Sequence, residues 1–403
     1  MFSLQAKQIM NRIIVCHISY HQPLDDRIYW KELVTLQQAG YDTVHLCISD
    51  KDVDYITDEG IRVIEIKRKR IVQHLWLNRL LQIALKNKGI LKTLLQKAAA
   101  ISAHIYHYHD LQINAIAKEL KQLPQRPKLI YDVHEVYWQI VKEQRREGTV
   151  SALKAGIIST FYKKWEIKKS AYCDYIIATD EYTLHYFQEA LPHIPKAIVY
   201  NYSYYLPDEI PASINQQYDF IYTGLLSKSR GILDALSALS LLIKEQPQVQ
   251  LLLIGPYEHP DFKNEVETTI DQLQLRGNIC VHEPVPFQQI GSFYQKAKIG
   301  LGLFHSTPKY TTFIPIKLFE YMAFGLPVVF CNHGPSAQII KQTNCGILVE
   351  PNNASAIYEA MKQLLNDKEL YEVYSNNAQK AISQTYSWNS EKEKLLAIYK
   401  AIG

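Results

Sequence analysis

FHSTPKYTTFIPIKLFEYMAFGLPVVF, residues 304–330, carries the signals of a complete β–α–β unit. The apolar run at 299–304 is typical of a buried parallel strand, and residues 328–330 predict the next strand. Pro315 suits the first position of a helix, where no amide hydrogen is needed, and the Gly-Leu-Pro at 325–327 ends that helix. The stretch therefore predicts a strand, a loop, a short helix and a second strand.

The helix of this unit carries a candidate anion site. Ligands of such units lie beyond the carboxyl ends of the strands, where the free amides at 313–317 would face an anion. Lys317 and Glu320 share one helix face, whereas Leu318 and Met322 face the sheet. Lysine and amides suit a diphosphate, and a glutamate suits ribose hydroxyls. The pattern predicts a sugar-nucleotide site, and the alternative is a surface helix with one salt bridge.

Residues 315–329, P-x-K-x-x-E-Y-M-A-x-G-x-P-V-V, also resemble the donor-binding segment of a known family. The family is the retaining GT-B glycosyltransferases of the large family-four type (glycosyl transferases group 1), which includes sucrose and polysaccharide synthases. Many members carry a second glutamate eight residues before the first, where this chain has Thr312. The resemblance implies that Glu320 contacts the donor ribose at the reaction centre. It implies that Thr312, Phe313 and Ile314 line the ribose and sugar positions.

Length and composition indicate a two-domain globular protein. The chain has 403 residues, of which 47% are hydrophobic and 21% charged. It has no apolar run long enough for a membrane-spanning helix, and its first residues lack the apolar core of a secretory signal. Six scattered cysteines without a C-x-x-C pair favour free thiols in a reducing cytoplasm over disulfides or zinc.

Charge is distributed unevenly along the chain. Residues 1–200 hold 28 basic and 21 acidic residues, whereas residues 201–403 hold 16 and 19. Segment 67–97 contains nine Lys or Arg and no acid, interleaved with leucines and Trp76. This pattern predicts binding to a membrane surface, and the alternative is a solvated helix of an α/β domain. No other part of the chain resembles a nucleic-acid module, so a nucleic-acid partner is not expected.

The first half alternates predicted strands and helices, which is typical of a parallel doubly wound sheet. Its first turn, SYHQPLDDR at 19–27, lacks the glycines of a dinucleotide-binding turn. Residues 25–32, D-x-R-I-x-x-K-E, resemble a segment of bacterial members of the same family, which implies that Asp25 and Arg27 face the cleft of that fold. The alternative is a charged helix start with Asp26 near the N-cap.

Two further strands end in histidine-containing turns, HYHD at 107–110 and YDVHE at 131–135. Both resemble the family's N-terminal domain. The resemblance implies that His134 faces the transferred sugar, with His109, Asp110 and Glu135 on the acceptor side. We expect His134 to make a polar or catalytic contact rather than to bind a metal, because no compact carboxylate cluster accompanies it in the sequence.

The second half restarts with a strand at 219–224 that leads through a glycine turn into a helix. Residues 224–231, G-x-L-x-x-x-R-G, resemble the family segment that supplies cations to the donor diphosphate, which implies this role for Arg230. A second basic residue often follows the glycine directly, where this chain has Leu225, and Lys228 is the candidate substitute. The alternative is an exposed loop.

Together these segments predict a GT-B fold, with two facing Rossmann-like α/β domains of parallel sheets and an interdomain cleft. We expect an acceptor-side domain at 1–205, completed by a crossing helix at 387–403, and a nucleotide-sugar domain at 206–386. The function implied is a cytoplasmic, metal-independent transfer of sugar from a UDP- or GDP-linked donor, without a cofactor. The acceptor would be a glycan or a polyprenyl- or other lipid-linked sugar in cell-surface polysaccharide or lipopolysaccharide biosynthesis. The alternatives are a non-hydrolysing nucleotide-sugar epimerase and a non-catalytic scaffold.

Overall fold

The computed structural model of the protein describes residues 12–68, 88–134, 138, 152–210, 216–307 and 310–403. The chain divides into two compact units. The first comprises Met1–Asn201 and Glu391–Gly403, and the second comprises Tyr202–Ser390. Each unit is an α/β unit with its own largely parallel sheet and its own hydrophobic core. The α/β class predicted from the sequence is thus confirmed.

The first unit is built on an eight-stranded sheet with the order β3-β4-β2-β1-β5-β6-β7-β8. Its strands are β1 (Ile14–Ser19), β2 (Asp42–Ser49), β3 (Val53–Ile56), β4 (Arg62–Lys67), β5 (Ile105–His109), β6 (Lys128–Val133), β7 (Tyr175–Ala178) and β8 (Lys196–Ile198). The purely parallel sheet predicted for this half is wrong at one edge, where β3 pairs with β4 antiparallel. This short, exposed strand, Val-Asp-Tyr-Ile, joins β4 through a short hairpin that was not predicted from the sequence.

The helices of this unit alternate with its strands along the chain and pack against the sheet. A π-helical segment, Asp26–Leu33, continues into α1 (Val34–Gln38), and the other described helices are α2 (Lys88–Ile101), α3 (Asp110–Asn114), α4 (Ala117–Lys121), α5 (Ala152–Ser170) and α6 (Glu181–Ala190). Asp25 is the N-cap of the π-helical segment, because its carboxylate accepts hydrogen bonds from the amides of Arg27 and Ile28, and Asp26 follows it in the first turn.

The basic segment 67–97 falls partly outside the described residues, which omit 69–87. In its described part, Leu91 and Leu94 of α2 pack in the core of the first unit, whereas Lys92 and Lys97 are exposed. The apolar face of α2 therefore covers the sheet. None of the helices in the described ranges combines the length and the apolar character needed to cross a bilayer.

The second unit is built on a six-stranded parallel sheet with the order β11-β10-β9-β12-β13-β14. Its strands are β9 (Tyr218–Thr223), β10 (Leu251–Ile254), β11 (Ile279–His282), β12 (Ala297–Gly302), β13 (Val328–Cys331) and β14 (Gly346–Val349). The helices are α7 (Ile232–Leu242), α8 (Pro260–Gln272), α9 (Phe287–Tyr294), α10 (Ile316–Ala323), α11 (Gly334–Thr343), α12 (Ala354–Asn366) and α13 (Lys368–Gln384). The final helix, α14 (Trp388–Ile402), starts in the second unit and continues into the first from Glu391.

The β–α–β unit read from residues 304–330 is present as β12, α10 and β13. Pro315 lies one position earlier than expected, at the N-cap of α10, and Gly325 has the positive φ of 67° that ends the helix. Leu318 and Met322 are fully buried, as predicted. All residues from Lys317 to Ala323 are buried, so the alternative of a surface helix is wrong.

Candidate functional site

The first group of candidate residues surrounds Gly224 in the second unit. The strand that it follows, β9, lies between β10 and β12, so a topological switch point forms at the carboxyl ends of β9 and β12. Gly224 has a φ of 110°, which disfavours any residue with a Cβ. A Cβ at this position would lie 3.3 Å from Nζ of Lys317 and 3.4 Å from Nη1 of Arg230. The glycine therefore leaves its backbone accessible beside two cations.

Lys317 is held in the first turn of α10 with its ammonium group buried. Its Nζ lies 3.5 Å from the ring centroid of Tyr222 and 5.3 Å from that of Phe304. It has no hydrogen-bond partner among the described residues. Burial, reinforced by the charge of Arg230, lowers the pKa of Lys317 well below its ordinary value. A buried ammonium between aromatic faces is suited to an anion that a ligand supplies.

Arg230 reaches the same position from the turn that precedes α7. Its Nε donates a hydrogen bond to the hydroxyl of Tyr310 at 3.2 Å. Gly231 allows the close approach of this turn to the sheet, since its φ is 72° and a Cβ there would lie 2.1 Å from the carbonyl oxygen of Leu303. Lys228 is directed to the surface, where its Nζ lies 3.6 Å from Glu265. The structure therefore brings together Arg230 and Lys317, and pairs Lys228 with a carboxylate.

Glu320 lies one turn after Lys317 on α10 and is buried. Its Oε2 accepts a hydrogen bond from the hydroxyl of Tyr294 at 2.7 Å. The same hydroxyl lies 3.1 Å from Oγ1 of Thr223, and the amide of Thr223 donates to the hydroxyl of Tyr321 at 3.1 Å. Tyr294 thus links the carboxylate to Thr223 at the carboxyl end of β9, and no signal in the sequence predicted this contact.

The residues predicted to line the donor sugar precede α10 directly. Thr312 and Ile314 are half-buried and Phe313 is exposed. The ring centroid of Phe313 lies 6.4 Å from that of Tyr310, which also contacts Arg230. The three positions are therefore adjacent to the first turn of α10, whose amides are available for an anion.

The second group of candidate residues lies at the carboxyl ends of β1, β5 and β6 in the first unit. His134 follows β6, and its Nε2 lies 3.2 Å from Oδ2 of Asp132 and 3.1 Å from Nδ1 of His109. His109 and Asp132 are opposite each other in the parallel pairing of β5 and β6, which is why they meet. The structure thus confirms that the two histidine motifs share one sheet edge.

Asp110 and Asp25 lie close to these histidines through His21. Nε2 of His21 lies 2.7 Å from Oδ2 of Asp110, and its Nδ1 lies 3.3 Å from Oδ2 of Asp25. Burial favours a neutral ring, but the hydrogen bonds to Asp110 and Asp25 outweigh it and raise the pKa of His21 to about 11. Asp110 has a φ of 67°, an uncommon conformation for a residue with a side chain.

Arg27 is buried beneath this edge in an ion pair with Asp132. Its Nε and Nη2 donate to the Asp132 carboxylate at distances from 3.0 to 3.3 Å, and its Nη1 donates to the carbonyl of Val199 at 3.0 Å. Its Nε also lies 3.0 Å from Oε1 of Glu32. Burial opposes the ionised form of Asp132, but Arg27 outweighs it and holds the pKa of that carboxyl well below its usual range. Arg27 therefore anchors the edge from within, rather than being exposed at it.

One expectation about this edge is wrong. His134 was expected to lack a neighbouring carboxylate cluster, yet it forms one compact group with His21 and Asp110 and a second with His109 and Asp132. Neighbouring strands bring these groups together from distant points of the chain, so sequence spacing could not reveal them. Glu135 lies outside the described residues.

The comparisons with known proteins agree with the fold. Residues 208–381 match the family model "Glycosyl transferases group 1". The chain is 24% identical over 235 residues to an uncharacterised glycosyltransferase of Haemophilus influenzae, covering 57% of this chain and 61% of that protein. It is 28% identical over 138 residues to a probable sucrose-phosphate synthase of Oryza sativa, covering 34% of this chain and 14% of that protein. The chain thus spans less than two thirds of either relative.

Two solved structures resemble the whole chain. A sucrose-phosphate synthase of Thermosynechococcus elongatus superimposes with a TM-score of 0.73 at 15% identity, covering 97% of this chain and 99% of that chain. Anabaena HepE, solved in complex with UDP and glucose, superimposes with a TM-score of 0.71 at 13% identity, covering 97% and 100%. At these identities the similarity establishes the fold.

Proposed function

Because the chain belongs to the glycosyl transferases group 1 family of GT-B glycosyltransferases, we propose that it transfers a sugar from a nucleoside diphosphate sugar. The acceptor is a glycan or a lipid-linked sugar in cell-surface polysaccharide biosynthesis, and the anomeric configuration is retained. The observation that carries this proposal is the convergence of Lys317 and Arg230 on the backbone of Gly224.

The donor diphosphate binds at this position without a metal ion. Lys317 and Arg230 supply two positive charges, and the first-turn amides of α10 supply hydrogen bonds. In a site shielded from water these groups stabilise the negative charge that develops on the leaving diphosphate. The bound phosphate also gives the buried ammonium of Lys317 the partner that it lacks among the described residues.

Glu320 positions the donor ribose. Its Oε2 accepts a hydrogen bond from Tyr294, which orients the carboxylate that contacts the ribose. Thr312, Phe313 and Ile314 line the ribose and the sugar beside it. The donor nucleotide to test first is UDP, because the structural neighbour HepE has been solved with UDP and with UDP-glucose.

The acceptor and the transferred sugar interact with the edge of the first unit. His134 contacts the sugar near the bond that breaks, in an orientation set by Asp132 and His109. Asp25 and Asp110 serve the acceptor side, and the buried His109 supports it through its contact with His134. No nucleophilic carboxylate is assigned, and retention follows from attack on the same face as the leaving group. The free thiols and the basic segment 67–97 support a cytoplasmic enzyme at the inner face of the membrane.

Binding of nucleoside diphosphates to the wild type and to Glu320→Ala tests the donor site first. Ligand at 100 times its dissociation constant stabilises a protein by about 2.7 kcal/mol, which corresponds to a rise of several degrees in Tm. We expect this rise for UDP, a much smaller one in Glu320→Ala, and release of UDP from a UDP-sugar when a sugar acceptor is supplied. Conversion of the donor without any acceptor would instead identify an epimerase, and no binding of any nucleotide would leave a scaffold.

A further inference from the structure

A second polar cluster of the first unit lies beneath the histidine edge and is fully buried. It consists of His17 on β1, His107 and His109 on β5, and Glu32 at the end of the π-helical segment. The parallel register places His17 opposite His107, and His109 follows two residues later on the same face of β5. One ligand atom from each of these side chains lies within 4.8 Å of the others.

Three of these atoms are spaced as the ligands of a metal ion are. Nδ1 of His17 lies 3.0 Å from Nε2 of His109 and 3.6 Å from Oε2 of Glu32, and the last two atoms are 3.9 Å apart. The point equidistant from these three atoms lies about 2.1 Å from each, which is the length of a zinc–nitrogen or zinc–oxygen bond.

The fourth side chain, that of His107, has a ring nitrogen whose lone pair is available to a cation. Nδ1 of His107 lies 2.8 Å from the hydroxyl of Tyr399, and its Nε2 lies 3.7 Å from Oδ2 of Asp132, which is too far for a hydrogen bond. Nε2 of His107 and Oε2 of Glu32 are buried and have no hydrogen-bond partner among the described residues. Buried polar atoms are normally paired, so two such atoms within one compact cluster need an explanation. A cation that binds both would provide it.

The opposite side of each ligand is held by a neighbour, as in known metal sites. Nε2 of His17 lies 3.0 Å from the hydroxyl of Tyr399, and Oε1 of Glu32 lies 3.0 Å from Nε of Arg27. Nδ1 of His109 lies 3.5 Å from Oδ2 of Asp132. The Tyr399 oxygen has lone pairs for both His17 and His107, so both rings can direct their unprotonated nitrogens towards the centre of the cluster.

We propose that His17, His107, His109 and Glu32 bind one divalent transition-metal ion, and that this ion is Zn²⁺. Three imidazole nitrogens and one carboxylate oxygen form a tetrahedral donor set that zinc accepts. The ion cross-links β1, β5 and the π-helical segment, and His109 connects it to His134, since Nδ1 of His109 lies 3.1 Å from Nε2 of His134. Its role is to fix the sheet edge. The ion does not bind the donor diphosphate, which is bound by Lys317 and Arg230 in the second unit.

The metal content of the purified protein tests this proposal independently of any enzymatic activity. We expect about one zinc per chain by elemental analysis after purification, or after incubation with Zn²⁺ and removal of the excess. Replacement by Co²⁺ should give the intense visible absorption of a tetrahedral site with nitrogen and oxygen ligands. Removal of the metal with a chelator should lower Tm by about 5 °C or more, and added Zn²⁺ should restore it.

Matched histidine variants assign the site. His107→Gln should reduce bound metal at least tenfold and abolish the Co²⁺ spectrum. His45→Asn should leave both unchanged, because His45 is equally buried but bonds Ser19 and the carbonyl of Pro23 instead. If His107→Gln does not fold, the metal content and the Co²⁺ spectrum of the wild-type protein still test whether the metal site exists. A wild-type protein that retains no stoichiometric metal and shows no tetrahedral spectrum refutes the site, and the cluster is then held by shared protons alone.

Discussion

Nζ of Lys317 lies 3.5 Å from the ring centroid of Tyr222, inside the second unit and without a hydrogen-bond partner among the described residues. A buried cation–π contact recovers on the order of 2 kcal/mol, which is less than the cost of burying an unpaired charge. The arrangement therefore costs folding stability in the absence of ligand. Such a cost is common where a site is preorganised for a charged ligand.

Lys317→Met should separate stability from donor binding. Removing a buried and unpaired ammonium should leave Tm unchanged or raise it, whereas the affinity for UDP should fall about 10- to 100-fold, because a charge-assisted hydrogen bond is lost. Calorimetric titration and thermal unfolding measure the two quantities. Lys228→Met is the control, since Lys228 is 69% exposed and pairs with Glu265. Equal loss of affinity in both variants would contradict the assignment.

Gly224→Ala should weaken donor binding by crowding the backbone position that the diphosphate approaches. The added Cβ would crowd Lys317 and Arg230 and would have to adopt a φ of 110°, which side chains disfavour. We expect at least a tenfold rise in the dissociation constant of UDP and a loss of about 1 kcal/mol or more in the free energy of unfolding. Gly277→Ala is the matched control, because a Cβ there would meet no atom within 4 Å. Unchanged affinity in Gly224→Ala would exclude close approach of the diphosphate to this backbone.

Asp132→Asn should destabilise the first unit strongly. The substitution leaves the buried guanidinium of Arg27 with a neutral partner, and breaking a buried ion pair costs about 3 to 5 kcal/mol. Chemical denaturation measures the loss. Asp54→Asn removes one partner of the exposed pair with Arg62 and should cost about 1 kcal/mol or less. Losses of similar size in the two variants would show that the buried pair is not the anchor we describe.

The ionisation of Glu166 should lower the free energy of unfolding as pH rises. Burial raises its pKa to about 8, against an ordinary value of 4.5, although the hydroxyl of Tyr131 opposes this effect. Between these two pH values the native state holds a proton that the unfolded state has lost. The group's contribution is therefore fully present below about pH 4.5 and is lost as pH approaches 8, with a slope of up to about 1.4 kcal/mol per pH unit.

Glu166→Gln should flatten this part of the stability profile. Denaturant titrations between about pH 5 and pH 8, roughly the interval between the two pKa values, measure the slope. Glu189→Gln is the control, because the Glu189 side chain is 72% exposed and should leave the slope unchanged. A Glu166→Gln profile identical to that of the wild type would show that Glu166 does not titrate in this range.

Local sequence signals were sufficient where a single element carries the function. The apolar runs, Pro315 and Gly325 predicted the β–α–β unit of the second half, and the spacing of Lys317 and Glu320 placed both on one helix. The α/β class followed from similar patterns and from the family resemblance. The antiparallel strand β3 was missed, since its residues are exposed and its pairing depends on the hairpin.

The sequence by itself determined which elements form and which of them end in polar side chains, because periodicity and turn residues act over a few positions. Only the tertiary structure decided which of those side chains meet. Register sets His17 against His107 and His109 against Asp132, and the last helix brings Tyr399 to the same cluster. Burial then fixes their charge, because the energy of an ionised group depends on the dielectric and the partners that the fold assembles around it.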